Sequence, residues 1–168
     1  MTGLSGMSTG RRAGAIVLAT LCAVALPVSA ANAATLHLFA KTTRSTFTDP
    51  SGHPILGHVP PPPAGSILTN TGSEYLGTFQ HHARRQSAST NIICVVTKAP
   101  HASCYGQMAI GGAMLLANRF DANLAQSNPF ASIPINGGTG RFAGAHGTIH
   151  TASVGNGNSI NLTITYST

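Results

Sequence analysis

Acidic side chains are almost absent from this chain. Its 168 residues include three carboxylates, Asp49, Glu74 and Asp121. Asp49 stands in a proline turn, Glu74 beside a glycine-containing turn and Asp121 in a polar connection. Acid–base chemistry needs a proton donor or acceptor of tuned pKa within reach of a substrate. With no carboxylate on an expected strand, such chemistry would fall to histidine or tyrosine. Basic residues are also few and scattered, apart from the Arg84-Arg85 pair. There is no basic stripe with interleaved aromatics, the footprint that nucleic-acid binding requires. Helical periodicity is nearly missing, and no internal repeat is visible.

A bilayer-spanning run is lacking too. The most apolar stretch, Ala13 to Leu26, is 14 residues long, short of the ~20 a membrane span needs. It has the flanks of an export leader: Arg11 and Arg12 before it and Ala31-Asn32-Ala33 after it, a small-residue cleavage pattern. We expect residues 1–33 to be a secretory signal peptide cut after Ala33, through either the general or the twin-arginine route. Residues 34–168 would then be a single exported domain, with no membrane association once the leader is removed. Seven bases against three acids give that domain a net charge of +4, consistent with an ordinary solvated surface.

Two cysteines remain after the leader, Cys94 and Cys104. An even count in an exported domain points to a disulfide. Strand-like runs flank Ala99-Pro100-His101, and a turn centred on Ala99 sets the two cysteines opposite each other, within bridging range.

What the chain has in abundance is strand pattern and turn chemistry. Thr35 to Thr42 reads as a first strand, followed by an irregular, proline-rich connection from Thr43 to Gly65 that contains Asp49-Pro50-Ser51-Gly52. Ser66 to Asn70 and Tyr75 to Ala83 read as separate strands joined by Thr71-Gly72-Ser73. Asn91 to Lys98 is a further strand. Cys104 to Ala117 reads as one long strand bent at Gly111-Gly112, with a helix over Gly112 to Asn118 as the alternative. Ala131, Ile133 and Ile135 line one face of the next. Ile160, Leu162, Ile164 and Tyr166 alternate with Asn161, Thr163 and Thr165 in the cleanest period-two pattern of the chain. About eight such strands joined by glycine-rich turns imply an all-β antiparallel sandwich or closed barrel.

The densest glycine cluster is Asn136-Gly-Gly-Thr-Gly-Arg-Phe-Ala-Gly-Ala-His-Gly147. Together with Cys104-Tyr-Gly-Gln-Met-Ala-Ile-Gly-Gly112, and more weakly Gly65 to Leu68 and Tyr75 to Thr78, it resembles the barrel shared by allene oxide cyclases and dirigent proteins. That resemblance implies a calycin-like barrel of eight antiparallel strands with an apolar interior, often trimeric. It also implies cyclisation of a reactive lipid epoxide or steering of phenolic radical coupling. Gly137, Gly138, Thr139, Gly140, Arg141 and Phe142 are then structural turn residues. Asn70 would fall near a cyclase pocket asparagine.

Eight histidines, at 37, 53, 58, 81, 82, 101, 146 and 150, invite a metal reading. His81 and His82 are adjacent on an expected strand and so point to opposite faces, and His53 and His58 lie in the proline-rich connection with no thiolate close by. We expect no metal site and no cofactor. The pocket-lining candidates are Tyr75, Phe79 and His81 on one expected strand face, with Asn70 and His37; no catalytic residue is assigned. Three functions stay open. The first is an exported barrel binding a small hydrophobic molecule and steering its cyclisation or coupling. The second is an isomerase or cyclase acting on a reactive lipid or polyketide-like substrate. The third is an extracellular interaction module with a filled barrel.

Overall fold

The computed structural model describes residues 33–56, 62–155 and 159–168. The expected leader lies outside these residues up to position 32, as do His58, the start of the proline run and residues 156–158.

Alternation dictates the wall. In strands β1 (Ala34–Thr48) and β9 (Ser159–Ser167), Leu38 pairs with Leu162 and Leu36 with Ile164. Successive side chains point to opposite faces of a sheet, so these residues share the inner face and bury together. The remaining strands are β2 (Ile67–Leu76), β3 (Ala88–Lys98), β4 (His101–Ile110), β5 (Ala113–Asn123), β6 (Ser132–Ile135), β7 (Gly137–Gly138) and β8 (His146–Val154). All pairings are antiparallel, in the order β6-β8-β9-β1-β2-β3-β4-β5-β7.

The two ends of that order meet in one segment. β6 pairs with β8, and two residues later β7 pairs with β5. Asn136 stands at the crossing: its side chain accepts from Asn118 N and donates to Asn118 O, both at 2.6 Å. β6 and β7 are therefore halves of one interrupted strand, and the nine hydrogen-bonded strands make a nearly closed barrel with eight wall positions.

The sequence expectations of strand limits need several corrections. β1 continues to Thr48 past an irregularity between Thr42 and Arg44, so the first part of the expected loop, Thr43 to Thr48, is strand. Ser66–Asn70 and Tyr75 belong to one strand; Thr71-Gly72-Ser73 is its middle, not a turn. Tyr75–Ala83 does not continue as strand: the chain leaves β2 after Leu76 and folds back through a Thr78–His81 turn. Gly111-Gly112 reverses the chain instead of bending it. Their φ values, 55° and 81°, suit the two-residue hairpin turn that demands positive φ at both positions. The alternative helix over Gly112 to Asn118 is strand β5.

Cys94 and Cys104 lie opposite each other in β3 and β4 and are bonded, fully buried on the inner face. Closing a loop with a sequence separation of 10 stabilises the fold by about 3 kcal/mol in the chain-entropy account. The 136–147 cluster, expected to be a turn throughout, is one only in part: Gly137–Gly138 is strand β7, Gly140–Phe142 is a single 3-10 turn, and His146-Gly147 already belongs to β8. A Cβ on Gly138 would stand 2.1 Å from Phe142 O, so only glycine lets the backbone cross there. Thr139 pins the turn to Met114 through both its N and Oγ1. Arg141 lies over the buried Phe142 ring at 4.9 Å and packs against Gly111 of the neighbouring hairpin.

Candidate functional site: a cavity around Glu74

Placing Thr71-Gly72-Ser73 inside β2 fixes which side chains enter the barrel. Leu68, Asn70, Gly72 and Glu74 fall on the inner face; Thr69, Thr71, Ser73 and Tyr75 fall on the outer one. A carboxylate is thus carried to the inside of an apolar barrel. Glu74 is fully buried.

The barrel is not packed solid. A cavity of about 240 Å³ lies among Asn70, Gly72, Glu74, Thr90, Met108 and Leu162, walled elsewhere by further inward residues of β4, β5, β6, β8 and β9. The reason is the size of several inward side chains. Ala40, Gly72, Gly106 and Ala117 all line it, where larger residues would fill the space. The volume falls just below the ~300–1,000 Å³ usual for drug-sized ligands, which suits a compact guest of one or two rings.

Glu74 is held on one side only. Thr90 Oγ1 donates a short hydrogen bond to Oε1, while Oε2 is buried with no protein partner. Asn70 Oδ1 is likewise buried and unpartnered. Burial pushes the Glu74 carboxyl above its ordinary value, and the bond from Thr90 partly opposes that rise. Removing a carboxylate from water disfavours its charged form, so this is an acid that holds its proton further towards neutrality than a surface glutamate.

The pocket candidates read from the sequence divide. Asn70 lines the cavity. Tyr75, Phe79, His81 and His37 do not. Tyr75 and Phe79 lie on the outer surface against Phe39, with ring centroids 6.2 and 5.6 Å away, and His82 joins them at 4.4 Å. His81 is exposed on the turn, and His37 is exposed on β1, near Thr163. The expected face was wrong because the chain turns at Gly77, which ends the alternation that grouped Tyr75 with Phe79 and His81. Among the described residues, no three of His, Cys, Asp and Glu come together as a metal-binding group.

No family model matches the chain, and no curated protein matches it in sequence. Solved structures do. A pyocyanin demethylase matches with a TM-score of 0.55 at 15% identity, over 79% of this chain and 99% of its own. The pterocarpan synthase dirigent protein PsPTS1 matches with a TM-score of 0.55 at 16% identity, over 81% of this chain and 95% of its own. A second pterocarpan synthase dirigent protein, GePTS1, gives 0.53 at 17%, over 81% and 88%. The fold is dirigent-like.

Identity this low carries architecture and leaves chemistry to the site. Nothing in these similarities bears on the cyclase half of the resemblance. Within the dirigent-like barrel, the residues that sequence reasoning missed are Glu74 and Thr90. The signal was present: Thr69 and Thr71 are β-branched strand formers on either side of Asn70, just before Gly72, and an isolated glycine inside a strand often marks a close approach.

Proposed function

We propose that this protein is an exported dirigent-like barrel that binds a small, mostly apolar molecule and steers its cyclisation or coupling, with Glu74 as the group that meets the guest. One observation carries the reading: a fully buried carboxyl with one uncommitted oxygen lines an otherwise largely apolar cavity. Apolar walls with a few placed polar groups are the usual form of a small-molecule site. The walls hold the guest in a reactive conformer. A protonated Glu74 can donate at Oε2 to an oxygen of the guest, and its ionised form can take a proton there.

This arrangement favours the isomerase or cyclase alternative over the interaction module, because it supplies a tuned acid where the strand limits read from sequence had provided none. Two of the similar structures are named as synthases and the third as a demethylase, so barrels of this shape serve small-molecule chemistry in other chains. The buried Cys94–Cys104 bond supports an oxidising compartment and hence export.

The test is uptake of N-phenyl-1-naphthylamine, a neutral apolar fluorophore, by the folded protein. Saturable enhancement in the natural protein, lost in Ala117→Phe with an unchanged far-ultraviolet spectrum, is the expected result. Equal enhancement in both proteins, or none in the natural one, would return the barrel to a purely structural role.

A further inference from the structure

Thr90 reaches the carboxyl from the neighbouring strand. It lies directly opposite Gly72 across the β2–β3 pairing, while Glu74 lies opposite Ala88. Glu74 and Thr90 therefore approach each other diagonally, above Gly72. A Cβ built on Gly72 would come within 2.7 Å of both Glu74 Oε1 and Thr90 Oγ1. Bare backbone is what leaves room for the two polar groups to meet. Threonine is β-branched and stiff at χ1, so its hydroxyl presents a fixed donor.

The charges around the pair are equally one-sided. Of the residues lining the cavity, Lys41 alone besides Glu74 is charged. Its ammonium is turned to the outer surface, over the Phe39 and Tyr75 rings at 5.6 and 5.8 Å. β3, β4, β5, β6, β8 and β9 contribute no titratable side chain to the lining. An anionic guest would thus sit beside a buried acid with no cation to offset it, an arrangement that desolvation penalises heavily.

We infer that Thr90, seated over Gly72, is a positioning residue: it commits Oε1 of Glu74, leaves Oε2 as that carboxyl's one contact with the guest, and so makes the cavity select an uncharged molecule that offers a hydroxyl-sized polar group to that oxygen. The inference rests on the proposed ligand-binding role and adds to it a selection rule and the residue that enforces it.

Glu74 is the sole glutamate of the chain, so glutamate labelled with carbon-13 at the side-chain carboxyl gives one assignable signal in the folded domain. Three measurements follow on the natural protein, Thr90→Val and Thr90→Ser. The first is the pH titration of that signal without ligand. Loss of the Thr90 donor raises the midpoint in Thr90→Val, and Thr90→Ser returns it towards the natural value. A space-filling role alone would leave the midpoint of the isosteric valine variant where it was. The second is the shift of the Glu74 signal on adding 1-naphthol, which needs no variant. The third is affinity for 1-naphthol against 1-naphthoate at pH 7, with naphthol preferred at least about tenfold and weakened about tenfold in Thr90→Val, the size of one well-placed hydrogen bond.

An unmoved midpoint in folded Thr90→Val, or naphthoate bound as tightly as naphthol, overturns the inference. If neither compound binds the natural protein, the ligand-binding reading fails, and the selection rule with it. The ligand-free titration still decides whether Thr90 positions the carboxyl.

Discussion

Glu74 and Tyr75 are neighbours in the chain and stand on opposite sides of the barrel wall. The inner one is a fully buried carboxyl held by Thr90; the outer one is a half-buried aromatic. The usual order, apolar inside and polar outside, is reversed at this step. Each side has its compensation. Inside, Gly72 makes room for a hydrogen bond to the acid. Outside, Tyr75, Phe79 and His82 pack around Phe39, which is buried on the outer face, and the 77–82 turn fastens there through Gly77 N to His37 O and Phe79 N to Asn161 Oδ1. The outer cluster is a second small core and a device for stability. The inner pair is polar, partly unsatisfied and costs stability when ionised. Buried acids whose pKa is raised in this way cluster where function is carried out.

The comparison yields three tests in descending order of effect. Phe39→Ala removes the centre of the outer cluster and costs about 3–5 kcal/mol in denaturant unfolding, as buried phenylalanine truncations do. Uptake of the neutral fluorophore by the still-folded fraction stays unchanged. A loss of uptake in parallel with stability would show that the two faces are one unit.

Glu74→Gln acts in the opposite sense. The folded protein holds the Glu74 proton to higher pH than the unfolded chain does. Stability from this group is fully present below the ordinary glutamate value and falls as pH rises through that value towards the raised one. The amide cannot ionise, so the variant melts higher than the natural protein at pH 7, and the difference shrinks near pH 4 while guest binding is altered at both. A variant less stable at neutral pH would mean that the ionised carboxylate has a compensating partner. The smallest effect is that of Tyr75→Phe, which keeps the ring. It changes stability by less than about 0.5 kcal/mol and leaves uptake untouched; reduced uptake would place the phenol in the binding site after all.

Much of the wall was legible before any coordinates. Ile160, Leu162 and Ile164 alternate without interruption, and they lie inward as their pattern required. Cys94 and Cys104 flank a short turn, and the register pairs them. The Gly137–Phe142 cluster reads as a turn, and part of it is one: Gly140–Phe142 turns, while Gly137–Gly138 is strand β7, with Gly138 too close to the Phe142 backbone for a Cβ. The site was far less legible. Thr71-Gly72-Ser73 has the composition of a turn, and only pairing with β1 on one side and β3 on the other keeps it extended. That error of one turn placed Glu74 in a loop and Tyr75 in the pocket.

Local pattern alone therefore determined that this chain makes antiparallel strands, where its disulfide lies and where its glycines cross, because each of those depends on residues near in sequence. Tertiary structure decided which face of β2 looks inward, that small residues from distant strands leave a cavity there, and that Thr90 reaches Glu74. Those facts depend on register between strands, and a shift of one position exchanges the two faces completely.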